Sequence, residues 1–97
     1  MEEYYKIQNL RCLKVTYHGP TNNKEARFKI TETDHNGKKT SRIFSYNYEF
    51  NSIGEMAYNL LIKNGWNIKV KSCLYDCDLL LCDNWGENFK ELENLKD

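Results

Sequence analysis

Three successive stretches of this chain alternate apolar and polar residues with a period of two, and turn-forming residues separate them. Leu13, Val15 and Tyr17 fall on one side of the first stretch, Lys14 and Thr16 on the other. In the second, Ala26, Phe28 and Ile30 oppose Arg27, Lys29 and Thr31. In the third, Phe44, Tyr46, Tyr48 and Phe50 oppose Ser45, Asn47 and Glu49. Successive side chains of a strand point to opposite faces, so each stretch reads as a strand with one buried side. Gly19-Pro20 with Asn22-Asn23 supplies the first turn, and Asp34-His35-Asn36-Gly37 the second. Proline fixes φ, while Gly and Asn tolerate left-handed backbone.

The second turn decides which residues share a face. A two-residue Asn-Gly hairpin closure would pair Lys29 with Phe44 and put the aromatic row beside Arg27 and Lys29. That arrangement is a basic-aromatic platform of the kind that stacks nucleic-acid bases. A loop with an odd residue count shifts the register by one, and Phe44, Tyr46 and Tyr48 then join Ala26, Phe28 and Ile30. Burying each large apolar side chain contributes roughly 1.5–3 kcal/mol. Several such burials outweigh a turn preference, so the expected arrangement is the odd loop with the aromatic row inward.

Ser52 with Glu55 three residues later is a capping box. Ile53, Met56, Ala57, Leu60 and Leu61 then recur on one helical face, and Asn64-Gly65 closes the helix. Trp66 to Tyr75 reads as a fourth strand, with Trp66, Ile68, Val70 and Leu74 facing one way and Lys69 and Lys71 the other. Asp76-Cys77-Asp78 turns the chain into a short apolar strand, Leu79 to Cys82, suited to the interior of a sheet. Beyond Asp83 the pattern loosens, with Phe89, Leu92 and Leu95 available to dock a short helix. The expected fold is a single α+β domain over 1–97 with its core in about 11–83. Its order is β-β-β-α-β-β: a mainly antiparallel five-stranded sheet, one helix on one face, and a loose or short-helical C-terminal tail. One helix cannot cover both faces of such a sheet, so the other face is left to water or a partner.

No apolar stretch approaches a membrane span, and Met1 to Tyr5 lack the basic start and apolar middle of a secretion signal. A cytoplasmic protein is expected. Cys12, Cys73, Cys77 and Cys82 follow no scaffold spacing, so reduced thiols are expected. Cys73, Cys77 and Cys82 are separated by three and four residues, and Cys12, His18 and His35 could complete a zinc site only if the fold brings them together; no metal or cofactor is expected. Glycines 19, 37, 54, 65 and 86 are isolated, so no phosphate cradle forms, and an enzyme is not expected.

Net charge is zero but unevenly spread. Residues 10–75 carry eleven Lys and Arg against five Asp and Glu, whereas residues 76–97 carry two against seven. A basic body with an acidic tail implies an interaction surface on the body, unless the tail lies on that surface and neutralises it. Lys14, Arg27, Lys29, Lys69 and Lys71 each oppose the apolar positions of their strand and are expected to gather on the helix-free face. Tyr17, His18 and Asn22 of the first turn complete the candidate binding set.

Tyr17-His18-Gly19-Pro20-Thr21-Asn22, followed by Arg27-Phe28-Lys29-Ile30, resembles a group of small proteins with a Tyr-x-Gly-Pro-Thr-Asn turn from Bacteroidetes genomes, conjugative elements and phages. The likeness extends over roughly residues 11–83. Where those proteins commonly carry Thr-Arg-Gly-Ser after the Asn, this chain has Asn23-Lys24-Glu25-Ala26. The resemblance implies a setting in the mobile genome and no particular reaction. The expected function is a non-enzymatic binding module that docks on a host protein or protein–RNA complex, as anti-CRISPR-like inhibitors of bacterial immunity do. The alternative is a protein that binds RNA or DNA through a basic sheet face.

Overall fold

A computed structural model of the chain describes residues 2–97. A short helix, α1 (Glu2–Lys6), precedes strands β1 (Arg11–His18), β2 (Arg27–Thr33) and β3 (Lys39–Ser45). Helix α2 (Ile53–Lys63) follows, then β4 (Ile68–Cys73), β5 (Asp78–Cys82) and two 3-10 turns at Gly86–Asn88 and Leu92–Asn94. The five strands form one antiparallel sheet in the order β3-β2-β1-β5-β4. This is the α+β arrangement expected from the alternation and the single capped helix.

The second turn takes the odd loop. Thr33 pairs with Lys39 across Asp34–Lys38, and Phe28 pairs with Phe44. The Asp34 carboxylate accepts from the amides of Asn36 and Lys38, both at 2.9 Å, and Gly37 takes a φ of 85°. These local bonds hold the longer turn that inward Phe44 requires. Phe28 and Phe44 stack at 5.6 Å between ring centroids.

The aromatic row ends sooner than its alternation implies. Asn47 captures the Glu49 amide at 3.0 Å in a side-chain turn, so β3 stops at Ser45. Tyr46 and Phe50 still pack on the core, but Tyr48 is 80% exposed. Tyr17, Tyr46 and Tyr48 form a chain of edge and tilted ring contacts at one end of the sheet, on the helix side.

In α2, Ser52 Oγ accepts from the Glu55 amide at 3.2 Å, and Gly65 beyond the C-cap takes a φ of 85°. Met56, Ala57, Leu60 and Leu61 are buried against Leu13, Val15, Leu80 and Cys82. The helix lies over β1, β5 and β4. The part of this sheet face under β3 is closed by the C-terminal segment, whose Leu92 and Leu95 are buried in the same core.

That segment is pinned rather than loose. Arg42 donates to the carbonyls of Leu92 and Glu93, at 3.3 and 2.7 Å. Asn64 clamps Lys96 through both its amide donor and its carbonyl acceptor, at 2.9 and 2.8 Å. Asn84, itself buried, accepts from the Asn67 amide and donates to the Asn88 carbonyl. At the centre of these contacts stands Arg11, whose side chain is 2% exposed. Its guanidinium makes a two-point contact with the Glu32 carboxylate, both bonds at 2.8 Å, and donates to the Asn84 carbonyl at 2.9 Å. The rings of Trp66, Trp85 and Phe89 surround it at 4.8, 5.9 and 4.4 Å.

Candidate binding face

Among the described residues no α-helix packs substantially on the other face of the sheet. Directly opposed residues of an antiparallel pair share a face, so the pairings define its rows across the strands. Ser45, Arg27 and His18 form the first; Ile43, Lys29 and Thr16 the second. Ser41, Thr31, Lys14, Leu79 and Ser72 form the third. Lys39 and Thr33 lie at one end of the fourth, with Cys12, Leu81 and Val70 at the other. Within the third row the Thr31 and Ser41 hydroxyls bond each other at 3.0 Å.

Two zones result. Over β1–β3 the face carries Lys14, Arg27, Lys29 and Lys39 among hydroxyl side chains, and no Asp or Glu stands in these rows. None of the four cations has a carboxylate ion-pair partner among the described residues. The Arg27 Nε donor is buried and has no hydrogen-bond partner among them, a state that costs roughly 1–3 kcal/mol until an acceptor arrives. Over β5 and β4 the face turns apolar, with Leu79 and Leu81 half-buried and Val70 50% exposed.

Of the expected cation set, Lys14, Arg27 and Lys29 are brought together on this face. Lys71 is not. A β-bulge between Ile68 and Val70 shifts the β4 register by one residue. Ile68 still lies opposite Cys82 on the helix side, but Val70 opposes Leu81 on the open face, and Lys71 opposes Leu80 on the helix side. Lys69 sits in the bulge with its ammonium 3.7 Å from the Asp83 carboxylate. Lys71 instead lines a cleft of about 390 Å³ between β4 and the first turns of α2, together with Ser52, Glu55, Tyr58 and Asp78.

His18 stands next to Arg27 on the open face, Tyr17 lies on the opposite face against Tyr46, and Asn22 is exposed in the connecting loop. Lys39 belongs to the cation zone and was missed, because in the sequence it reads as part of a turn. The aromatic row and the cations occupy opposite faces, so the described residues form no base-stacking platform on the basic side. The acidic tail also lies on the helix side and leaves the cations uncovered.

The cysteines do not converge. Cys12 is exposed on the open face, Cys73 is exposed opposite Asp78, and Cys77 and Cys82 are buried. Among the described residues no cluster of three or more His, Cys, Asp or Glu side chains could hold a metal. Burial is the main influence raising the thiols of Cys12, Cys77 and Cys82 above their ordinary value, with the Asp76 carboxylate adding to the effect at Cys77. Such thiols stay protonated at neutral pH and are poor nucleophiles. Among the described residues no helix is long and apolar enough to cross a membrane. Comparison with protein-family models, with curated proteins and with solved structures gives no match.

Proposed function

We propose that this chain is a non-enzymatic binding module that docks an acidic protein surface on the open face of its sheet. The observation that carries the reading is the placement of the tail. The acidic segment is pinned on the helix side by Arg11, Arg42 and Asn64, which leaves Lys14, Arg27, Lys29 and Lys39 unpaired on the other side. The adjoining apolar strip of Leu79, Leu81 and Val70 supplies the dry contact that a protein interface needs beside its charges. The resemblance to mobile-element and phage proteins supports a host complex as the partner, with an anti-CRISPR-like inhibitor as the form of activity.

A nucleic-acid partner is the second reading, favoured by the four cations and the hydroxyls between them, which suit phosphate oxygens. The test separates the two. Capture from bacterial lysate is run with the wild-type protein and with Lys14→Glu/Lys29→Glu. A protein recovered by the wild type at low salt, lost with the variant and resistant to nuclease supports the first reading. Recovery that nuclease abolishes, together with salt-dependent binding to purified RNA or DNA, moves the assignment to the second. Equal recovery by wild type and variant overturns both.

A further inference from the structure

The two edges of the sheet are not equivalent. The backbone bonds at the ends of the β2–β3 hairpin run from Asp34 to Lys38 and from Tyr46 to Ala26. Bonded and non-bonded pairs alternate along an antiparallel ladder. Thr40, Arg42 and Phe44 therefore exchange hydrogen bonds with β2, and Lys39, Ser41, Ile43 and Ser45 turn their N–H and C=O groups away from the sheet. Among the described residues no backbone or side-chain bond reaches those groups from elsewhere. The opposite edge, β4, is defended: it carries a bulge between Ile68 and Val70, a feature that deters strand addition. β3 keeps an unbroken register with β2 over its whole length and has neither bulge nor proline.

The charge around β3 selects the kind of strand it would take. On the open-face side it presents Lys39 with Lys29 one strand inward, and Ile43 is 50% exposed. On the helix side Arg42 is already committed to the tail carbonyls, close to Glu93. A carboxylate on an added strand is thus favoured on the open-face side and disfavoured beneath.

We infer that β3 accepts an extended segment of the acidic partner as a sixth strand, with Asp or Glu at alternate positions over the open face and neutral or apolar residues between them. Backbone bonds to Lys39, Ser41, Ile43 and Ser45 hold it, and Lys29 and Lys39 read its charge. This rests on the reading of the open face as an acid-docking surface and adds where the partner is gripped.

The test uses the full chain and an acetylated, amidated peptide of alternating Glu and Val, as long as β3. Binding is followed by fluorescence anisotropy, and amide hydrogen exchange is read residue by residue with NMR. The wild type is expected to bind saturably, and the Ser41 and Ile43 amides to gain protection. Ile43→Pro removes a donor that the sheet itself does not use, and is expected to weaken binding about tenfold, the effect of losing a hydrogen bond and closing the edge. The exchange measurement needs no variant, so it decides the matter even if Ile43→Pro does not fold. Absence of binding, or binding without protection at Ser41 and Ile43, overturns the inference. So does protection in the free protein that vanishes on dilution as the mass halves, because the edge would then hold a second copy. If Ile43→Pro binds as well as the wild type while Lys29→Glu does not, the edge is excluded and the face reading stands. If Lys29→Glu and salt change nothing, the face reading itself falls.

Discussion

Replacing Glu32 by Gln is the most informative single perturbation of this fold. The substitution keeps shape and one acceptor but removes the negative charge opposite Arg11. The Arg11 side chain is 2% exposed and the Glu32 side chain 17%, so water cannot readily replace the lost partner. Leaving one member of a buried pair uncompensated costs about 3–5 kcal/mol. A chain of this length has a total stability on the order of 5–15 kcal/mol, so the loss is a large share of it. At about 4–8 °C per kcal/mol for a small domain, the melting temperature should fall by at least 12 °C or so. The damage should be local first: Arg11 anchors the Asn84 carbonyl and stacks on Trp85 and Phe89, so the C-terminal segment should open before the sheet. Chemical denaturation followed by circular dichroism measures the loss, and Trp fluorescence reports the release of Trp66 and Trp85. The double variant Arg11→Met/Glu32→Met should recover much of the stability, because an apolar pair has no charge to desolvate. A destabilisation below about 1 kcal/mol for Glu32→Gln, the scale of an exposed ion pair, would refute the view of Arg11 as a buried charge held by one carboxylate.

Two further outcomes follow from close contacts and burial. Gly54, in the first turn of α2, faces the Asp78 carboxylate so closely that an added Cβ would overlap it; Gly54→Ala should therefore displace that carboxylate and destabilise by about 1 kcal/mol. In an Asp78→Ala background the same change should instead stabilise, by up to about 1 kcal/mol from helix propensity, and destabilisation in both backgrounds would show that the contact is not the cause. For the thiols, an exchange reagent should modify exposed Cys73 first, reach Cys12 more slowly because its thiol is held protonated, and reach Cys77 and Cys82 only on unfolding. Burial raises Cys82 above its ordinary value of 9.0, so the folded state holds that proton more tightly. Its contribution to stability is full below about pH 9 and is lost as pH climbs through the folded value; Cys82→Ala should flatten the fall in denaturation midpoint above that pH, and an unchanged slope would count against the assignment.

The register of the meander was legible because burial decides it. Phe44 has to choose between the core and Arg27, and the energy of several buried rings exceeds that of a turn type. Arg11 was legible in principle, since it keeps phase with Leu13 and Val15, as Glu32 keeps phase with Phe28 and Ile30; two opposite charges in the apolar phase of neighbouring strands are a signal for a buried pair. Lys71 was not legible. Ile68 and Val70 alternate without a break in the sequence, and nothing in the residue types marks the extra position that only pairing with Leu81 reveals. The resting place of the tail was equally hidden, because Arg42 and Arg11 hold it through main-chain carbonyls that every residue possesses. The open face was thus half visible: its cations over β1 and β2 followed from alternation, whereas Val70 joined Leu79 and Leu81 there only through a shift of one residue.

That shift at Lys69 makes chain length, rather than composition, the determinant of how regular the outermost strand is. A relative lacking Lys69 would run regularly from the residue opposite Cys82 to the one opposite Leu81, keeping valine on the open face and the next lysine beneath, but without the bulge. Insertions and deletions in that short segment are therefore the changes to watch when related chains are aligned, since a single codon there can remove the irregularity that keeps another chain from pairing with this margin.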